Sequence, residues 1–171
     1  MFVRRDERGL YRAGTRLRRV AAATLREDPL YELAGAHLEA LAVETSETAN
    51  LAIAADEDQV VYVRQVARPK LVRTASWTGR TIPRHGTALG AALVGAVGEL
   101  GYVARAGAVE PDVTSIAAPV YGPDRQIVAV LSVLAPNYRI SPTRIDVCGR
   151  AVARHAAELS ASIGAPEAVA A

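Results

Sequence analysis

Ser115-Ile116-Ala117-Ala118-Pro119-Val120-Tyr121, then Gly122-Pro123-Asp124, then Ile127-Val128-Ala129-Val130-Leu131-Ser132-Val133-Leu134 is the stretch on which the fold turns. Gly-Pro-Asp is turn chemistry between two apolar runs, and the second run is almost continuously apolar. The segment reads as two antiparallel strands joined by a hairpin turn. In the last strand Val130, Ser132 and Leu134 alternate onto one face, with Ser115 opening the neighbouring strand.

Upstream, the period is also two. Ala49, Leu51 and Ile53 alternate with Thr48, Asn50 and Ala52, Asp56-Glu57-Asp58 makes a turn, and residues 60–66 return as a strand. Further strands are expected at residues 71–75 and 101–105, and residues 81–85, which contain Pro83, read as a loop. Helical spacing governs the rest. Asp28-Pro29 is a cap and first-turn pair opening a helix over 29–44, with Leu30, Leu33, His37, Leu38 and Leu41 on its buried stripe. Ser141-Pro142 opens a long C-terminal helix through Ile145, Cys148, Val152, His155, Leu159 and Ile163, closed by Gly164. Tyr11 to Gly14 reads as a strand end, followed by an arginine-rich helix. A central helix over 86–95 is built from small residues. Together these give an α+β fold: an antiparallel sheet flanked by helices, with long helices first and last.

The chain has 171 residues, 50% hydrophobic and 22% charged. That excludes collagen-like and disordered classes and suits one domain burying roughly 70% of its unfolded surface. A single cysteine, Cys148, forms no internal disulfide, and His37, His85 and His155 are too scattered to read as a zinc site. No metal and no cofactor is expected. No apolar run approaches the roughly 18 residues of a membrane span, and the N-terminus has no signal core, so the expected setting is reducing and cytoplasmic. The net charge of +2 is segregated: eight arginines against Asp6 and Glu7 give residues 1–26 a charge of +6, and the remainder carries −4. Such a basic arm suits either nucleic-acid phosphates or a solvated helix.

Catalytic templates are weakly served. Gly86-Thr87-Ala88-Leu89-Gly90 has nucleophile-elbow spacing with Thr in place of Ser, but no strand immediately precedes it. No phosphate-binding loop is present, and Asp56 to Asp58, like Glu110 and Asp112, read as loop charge. A binding site is better supported. The small residues at 86–91 leave room and backbone N–H groups for an anion, beside Val130, Ser132, Leu134 and Ser115. The same small residues also suit close helix–sheet packing, and the spacing leaves both open.

Tyr11-Arg12-Ala13-Gly14, residues 38–51 (LEALAVETSETANL), Ile82-Pro83-Arg84-His85-Gly86-Thr87-Ala88-Leu89-Gly90, Ser115 to Val120 and Leu131-Ser132-Val133-Leu134-Ala135-Pro136 occur in the order seen in IclR-type transcriptional regulators. The chain resembles that family over residues 9–164. The resemblance implies a C-terminal effector-binding domain of GAF-like fold over 29–164. Before it come the end of a wing and a basic linker helix (1–28), and after it a disordered tail (165–171). It implies a non-enzymatic sensor that binds a small organic acid or aromatic metabolite and modulates an attached winged helix-turn-helix domain. DNA is expected to be reached only through that N-terminal domain, which these residues do not include. A homodimer or tetramer is expected, with no membrane partner. Carried over, the effector site comprises Ala88, Leu89 and Gly90 at the helix start, Val113 and Ser115 at the strand entry, and Val130, Ser132 and Leu134 in the last strand.

The chain departs from the family pattern in four places. These residues include no winged helix-turn-helix, and the segment between Leu93 and Gly101 is several tens of residues shorter than the family pattern, so a shallower or more open pocket is expected. Ala91 and Ala108 replace a common lysine and a frequent acid, and Asp112 stands at a usual glycine. With Arg105 kept and an acid lost, an anionic or neutral effector is favoured. The alternatives are a stand-alone GAF-like interaction or dimerisation module without a DNA role, and a small hydrolase using Thr87 or Ser132 with His85.

Overall fold

The computed structural model describes residues 2–5, 9, 11–13, 16, 19–20, 28–67 and 76–166. The chain divides into two compact units, Met1–Leu33 and Ala34–Ala171. In the first, β1 (Val3–Arg5) pairs antiparallel with β2 (Tyr11–Ala13). The Arg5 Nε donates to the Gly9 carbonyl at 3.0 Å and its guanidinium lies 5.9 Å from the Tyr11 ring centre, which closes the ribbon. The strand at Tyr11 was legible in the sequence, while β1, dominated by arginine, was not. Arg16, Arg19 and Val20 are helical, and the rest of the expected basic helix lies outside the described residues.

Helix α1 (Pro29–Thr45) starts as its sequence dictates: Asp28 Oδ1 accepts from the Leu30 N–H at 2.9 Å, with Pro29 in the first turn. Its buried stripe, however, is Ala34, Gly35, Leu38, Leu41, Ala42 and Thr45. Leu33 is 41% exposed and Leu30 and His37 are half-buried, so the expected stripe is rotated toward the small residues. The reason is local: a Cβ on Gly35 would stand 2.6 Å from the Arg64 guanidinium, so the helix comes closest where it has no side chain. No basic residue occupies the last turn of α1. Its free C-terminal carbonyls are met instead by Arg144, whose Nη2 donates to the Thr45 carbonyl.

Six antiparallel strands follow: β3 (Thr48–Ala54), β4 (Gln59–Val66), β5 (Thr81–Pro83), β6 (Val103–Ala106), β7 (Val113–Tyr121) and β8 (Ile127–Pro136). They form one sheet in the order β5-β4-β3-β8-β7-β6. The sequence-derived loop at 81–85 is partly an edge strand, where Pro83 costs no interior ladder bond. The expected strand at 71–75 lies outside the described residues. The expected in–out alternation of β3 also fails: Thr48 to Ala52 are all buried. β3 and β8 are the central strands, covered on both faces, and period two has no solvent side to report.

Directly opposed residues share a face, which sorts the side chains. Leu51, Leu131 and Ala118 stand in register on one face, where α3 (Pro142–Ser162) packs on β7 and β8. Asn50, Ser132 and Ala117 stand in register on the other, which carries α2 (Ala88–Leu93). A bulge decides where β4 points. Leu51 pairs with Arg64 but Ala52 pairs with Tyr62, so the extra residue Val63 turns Arg64 toward α1 and Tyr62 toward α2.

The C-terminal helix is capped by Ser141, whose Oγ accepts from the Arg144 N–H at 3.2 Å, and buries Cys148, Val152, His155 and Leu159 as its spacing predicts. Cys148 is free and buried, and that burial pushes its thiol pKa up. The central helix is shorter than its sequence suggested, six residues rather than ten. No described helix is long and apolar enough to cross a membrane.

α2 sits so close to the preceding loop that a Cβ on Gly90 would lie 1.6 Å from the Arg84 carbonyl oxygen, a backbone atom that cannot rotate away. Gly90→Ala is expected to lower stability by at least about 1–3 kcal/mol, read as a lower urea midpoint with an unchanged m-value. An unchanged midpoint would refute the close approach.

Candidate functional site

The site lies on the α2 face of the sheet. Its apolar wall is the cluster of Ala52, Val60, Tyr62, Ile82, Ala88 and Leu89, with Trp77 packed against it. Tyr62 reaches this wall because of the Val63 bulge, and its ring lies 5.6 Å from that of Trp77. Burial pushes the Tyr62 phenol up to about 12, so it stays neutral. The opposite wall comes from β6, β7 and their connection: Arg105, Val109, Glu110, Val113 and Ser115. Between the walls is a cavity of about 30 Å³, also touched by Leu134. That is the scale of one or two water molecules.

Beside it, across Thr87 and Arg105, opens a cleft of about 310 Å³ lined by Arg84, His85, Gly86, Gly90, Ala91 and Val94. The two spaces differ in chemistry. The inner one is aromatic and aliphatic, and the outer one has two guanidinium-bearing walls, Arg84 and Arg105. Arg105 belongs to both, directly opposite Ser115 in the β6–β7 ladder.

Thr87 is the N-cap of α2. Its Oγ1 donates toward the Pro83 and Arg84 carbonyls, each at 3.0 Å, and accepts from the Gly90 N–H at 3.1 Å. A hydroxyl so engaged is not a nucleophile. His85, the base of the hydrolase alternative, is exposed and lies 3.6 Å from Asp58 Oδ1. The anion site anticipated at the helix start is also reduced. α2 is short, and Thr87 already satisfies the Gly90 and Ala91 N–H groups through its Oγ1 and carbonyl.

Of the residues anticipated from sequence, Ala88, Leu89, Val113, Ser115 and Leu134 line the cavity, and Gly90 lines the outer cleft. Val130 and Ser132 lie on the same face without lining either space: Val130 is part of the apolar cluster, and Ser132 is fully buried beneath it. The sheet floor here carries a polar anomaly. Asn50 Oδ1, Ser115 Oγ and Ser132 Oγ are buried without a hydrogen-bond partner among the described residues. They are neighbours by register, Asn50 opposite Ser132, and Ser115 opposite Leu134 two residues further on. Tyr62, Trp77 and Ile82 were not anticipated. The bulge that aims Tyr62 has no sequence signature, and Trp77 is drawn in by its N–H, which donates to Gln65 Oε1 at 2.7 Å. Glu110, read as loop charge, stands at the cavity.

An antiparallel sheet with a short helix over a partly polar floor is a GAF-like architecture. Residues 22–100 match the family described as bacterial transcriptional regulator IclR C-terminal. The fold is similar to an IclR transcriptional regulator from Alicyclobacillus acidocaldarius, at 24% identity over 95% of this chain and 80% of that one, with TM-score 0.80. It is similar to a putative IclR regulator from Silicibacter sp. TM1040, at 23% identity over 96% and 79%, with TM-score 0.82. The Thermotoga maritima IclR gives 19% identity over 95% and 80%, with TM-score 0.76. No curated protein sequence matches the chain. The family match spans 79 of the 171 residues, and these three solved structures, each under 25% identical, share the fold.

An unpartnered buried hydroxyl costs about 1–3 kcal/mol. Ser132→Ala is therefore expected to leave stability unchanged or raise it by about 1 kcal/mol in urea unfolding. A clear loss of stability would show that the hydroxyl is engaged after all.

Proposed function

We propose that the cleft binds a small anionic metabolite, an organic or aromatic acid, and that binding modulates DNA affinity through an attached winged helix-turn-helix domain. The observation that carries this reading is Arg105, which faces the aromatic hole and the cationic outer cleft at once. A carboxylate in the outer cleft meets Arg105 and Arg84 while an apolar or aromatic body enters toward Tyr62, Trp77 and Ile82. Guanidinium–carboxylate pairing supplies orientation, and apolar burial supplies affinity. The family supports a dimeric or tetrameric assembly.

The size of the inner cavity implies a mechanism. Pockets for small molecules run to roughly 300–1,000 Å³, so an effector needs the inner hole widened. The exposed loop over residues 107–112 supplies Val109 and Glu110 to its wall and is the element with least packing to lose. An effector that binds only the widened state shifts the population toward it, and that difference is what the DNA-binding unit can read.

A thermal-shift screen of organic and aromatic acids against their amides tests this. A ligand at 100 times its Kd adds roughly 2.7 kcal/mol, which amounts to several degrees. Acids are expected to act and amides not to. Arg105→Gln is expected to weaken the best acid about tenfold or more, and Ala88→Leu to abolish binding while the fold persists. No response across a broad panel, or equal response to acids and amides, would overturn the reading.

A further inference from the structure

His37 and His155 lie 118 residues apart in sequence, and the packing of α1 against α3 brings their Nδ1 atoms to 3.2 Å. The Glu158 Oε2, one turn beyond His155, stands 3.8 Å from His37 Nδ1 and 3.7 Å from His155 Nδ1. Three potential ligand atoms thus converge on one point. We propose that His37, His155 and Glu158 form a binding site for a divalent transition-metal ion of the zinc type, stapling α1 to α3.

The distances decide the kind of ion. Zinc held at about 2.0–2.1 Å in a tetrahedron separates its ligands by about 3.3–3.4 Å, whereas octahedral coordination at about 2.1 Å requires about 3.0 Å. The His–His edge already fits the tetrahedron. The two edges to Glu158 exceed it by a few tenths of an ångström, and a side chain that is 49% exposed can close that by a small rotation. Two imidazoles and one carboxylate are a donor set zinc uses when a fourth position stays open.

The surroundings are arranged as a metal site needs. The His155 Nε2 faces Glu44 Oε2 at 3.3 Å, so its N–H is held there and its Nδ1 presents a lone pair toward His37 and Glu158. That is the carboxylate–histidine support that orients metal-bound imidazoles. Arg154 fixes both carboxylates, donating to Glu44 Oε2 at 2.5 Å and to Glu158 Oε1 at 3.4 Å, which leaves Glu158 Oε2 facing the histidines. Its positive charge opposes a nearby cation but is already spent on these two acids. The competing arrangement is a plain hydrogen bond between the two Nδ1 atoms, with the proton on His37. Metal binding moves that proton to His37 Nε2, and both rings remain neutral. His155 is buried, whereas His37 is 19% and Glu158 49% exposed, so an ion can enter from the solvent side.

The test uses the whole chain, dialysed against a chelator and titrated with zinc chloride by calorimetry and with cobalt chloride by visible absorption. One ion per chain, intense tetrahedral cobalt bands and a raised thermal midpoint are expected. His37→Gln and Glu158→Gln, both at accessible positions, should each weaken zinc at least tenfold while the circular dichroism of the metal-free protein is unchanged. Glu44→Gln, which only supports His155, should weaken it about 10- to 100-fold. No saturable uptake, weak octahedral cobalt bands, or zinc affinity unaltered in both accessible variants would overturn the proposal. None of these readings involves the effector cleft.

Discussion

The pairing of β3 with β8 is the constraint on which the rest of the domain depends. These central strands align Asn50 with Ser132 and Leu51 with Leu131, and so determine what each face of the sheet presents. One face is wholly aliphatic at this line and receives α3. The other is interrupted by an amide and a hydroxyl and receives only the short α2. A slip of β3 by one residue would exchange its faces, placing Asn50 against α3 and Leu51 in the cleft beside Ser132. The aliphatic face makes that exchange costly, and this protects a polar floor that has little stabilising value of its own.

That asymmetry explains the division between a stable half and an adaptable half. On the α3 side, packing is reinforced by polar ties between distant segments. The Arg139 guanidinium makes two contacts with the buried Glu47 carboxylate, at 3.0 and 3.3 Å, and Arg144 closes the end of α1. On the α2 side the helix is six residues long, held by the Thr87 cap and by its glycine contact with the Arg84 backbone. The sensing role proposed for this face calls for alternatives close in free energy, and a short helix over a partly unsatisfied floor has less packing to lose in reaching them.

Much of the architecture was legible because its signals are local. Asp28-Pro29, Ser141-Pro142 and the Gly122-Pro123-Asp124 turn announced elements that formed where expected, and the apolar runs gave strands β3, β4, β7 and β8. Wherever tertiary contact decides, the reading failed. The stripe of α1 rotated because a glycine lets the helix approach Arg64, and β3 lost its alternation because both its faces are covered. The small residues and motifs around Ala88 and Ser115 pointed to positions that line the cavity and the outer cleft. Tyr62 and Trp77 were missed because their placement depends on a bulge and on a backbone-to-Gln65 bond. His37 and His155 were read as unrelated because no spacing rule connects residues that only packing brings together.

The Val63 bulge has a consequence for how this chain tolerates change. A strand normally absorbs the loss of one residue by flipping everything beyond it. Here, deleting Val63 would make Tyr62 and Arg64 consecutive, and regular pleating would hold them on the opposite faces they already occupy. The aromatic ring would stay in the cleft and the guanidinium beside Gly35, each opposite its present partner on β3. Loss of a residue is therefore less disruptive here than elsewhere in β4, because what Val63 contributes is one surplus unit of backbone length. In that sense Val63 is a spare link, and its removal would straighten the ladder without re-sorting the faces.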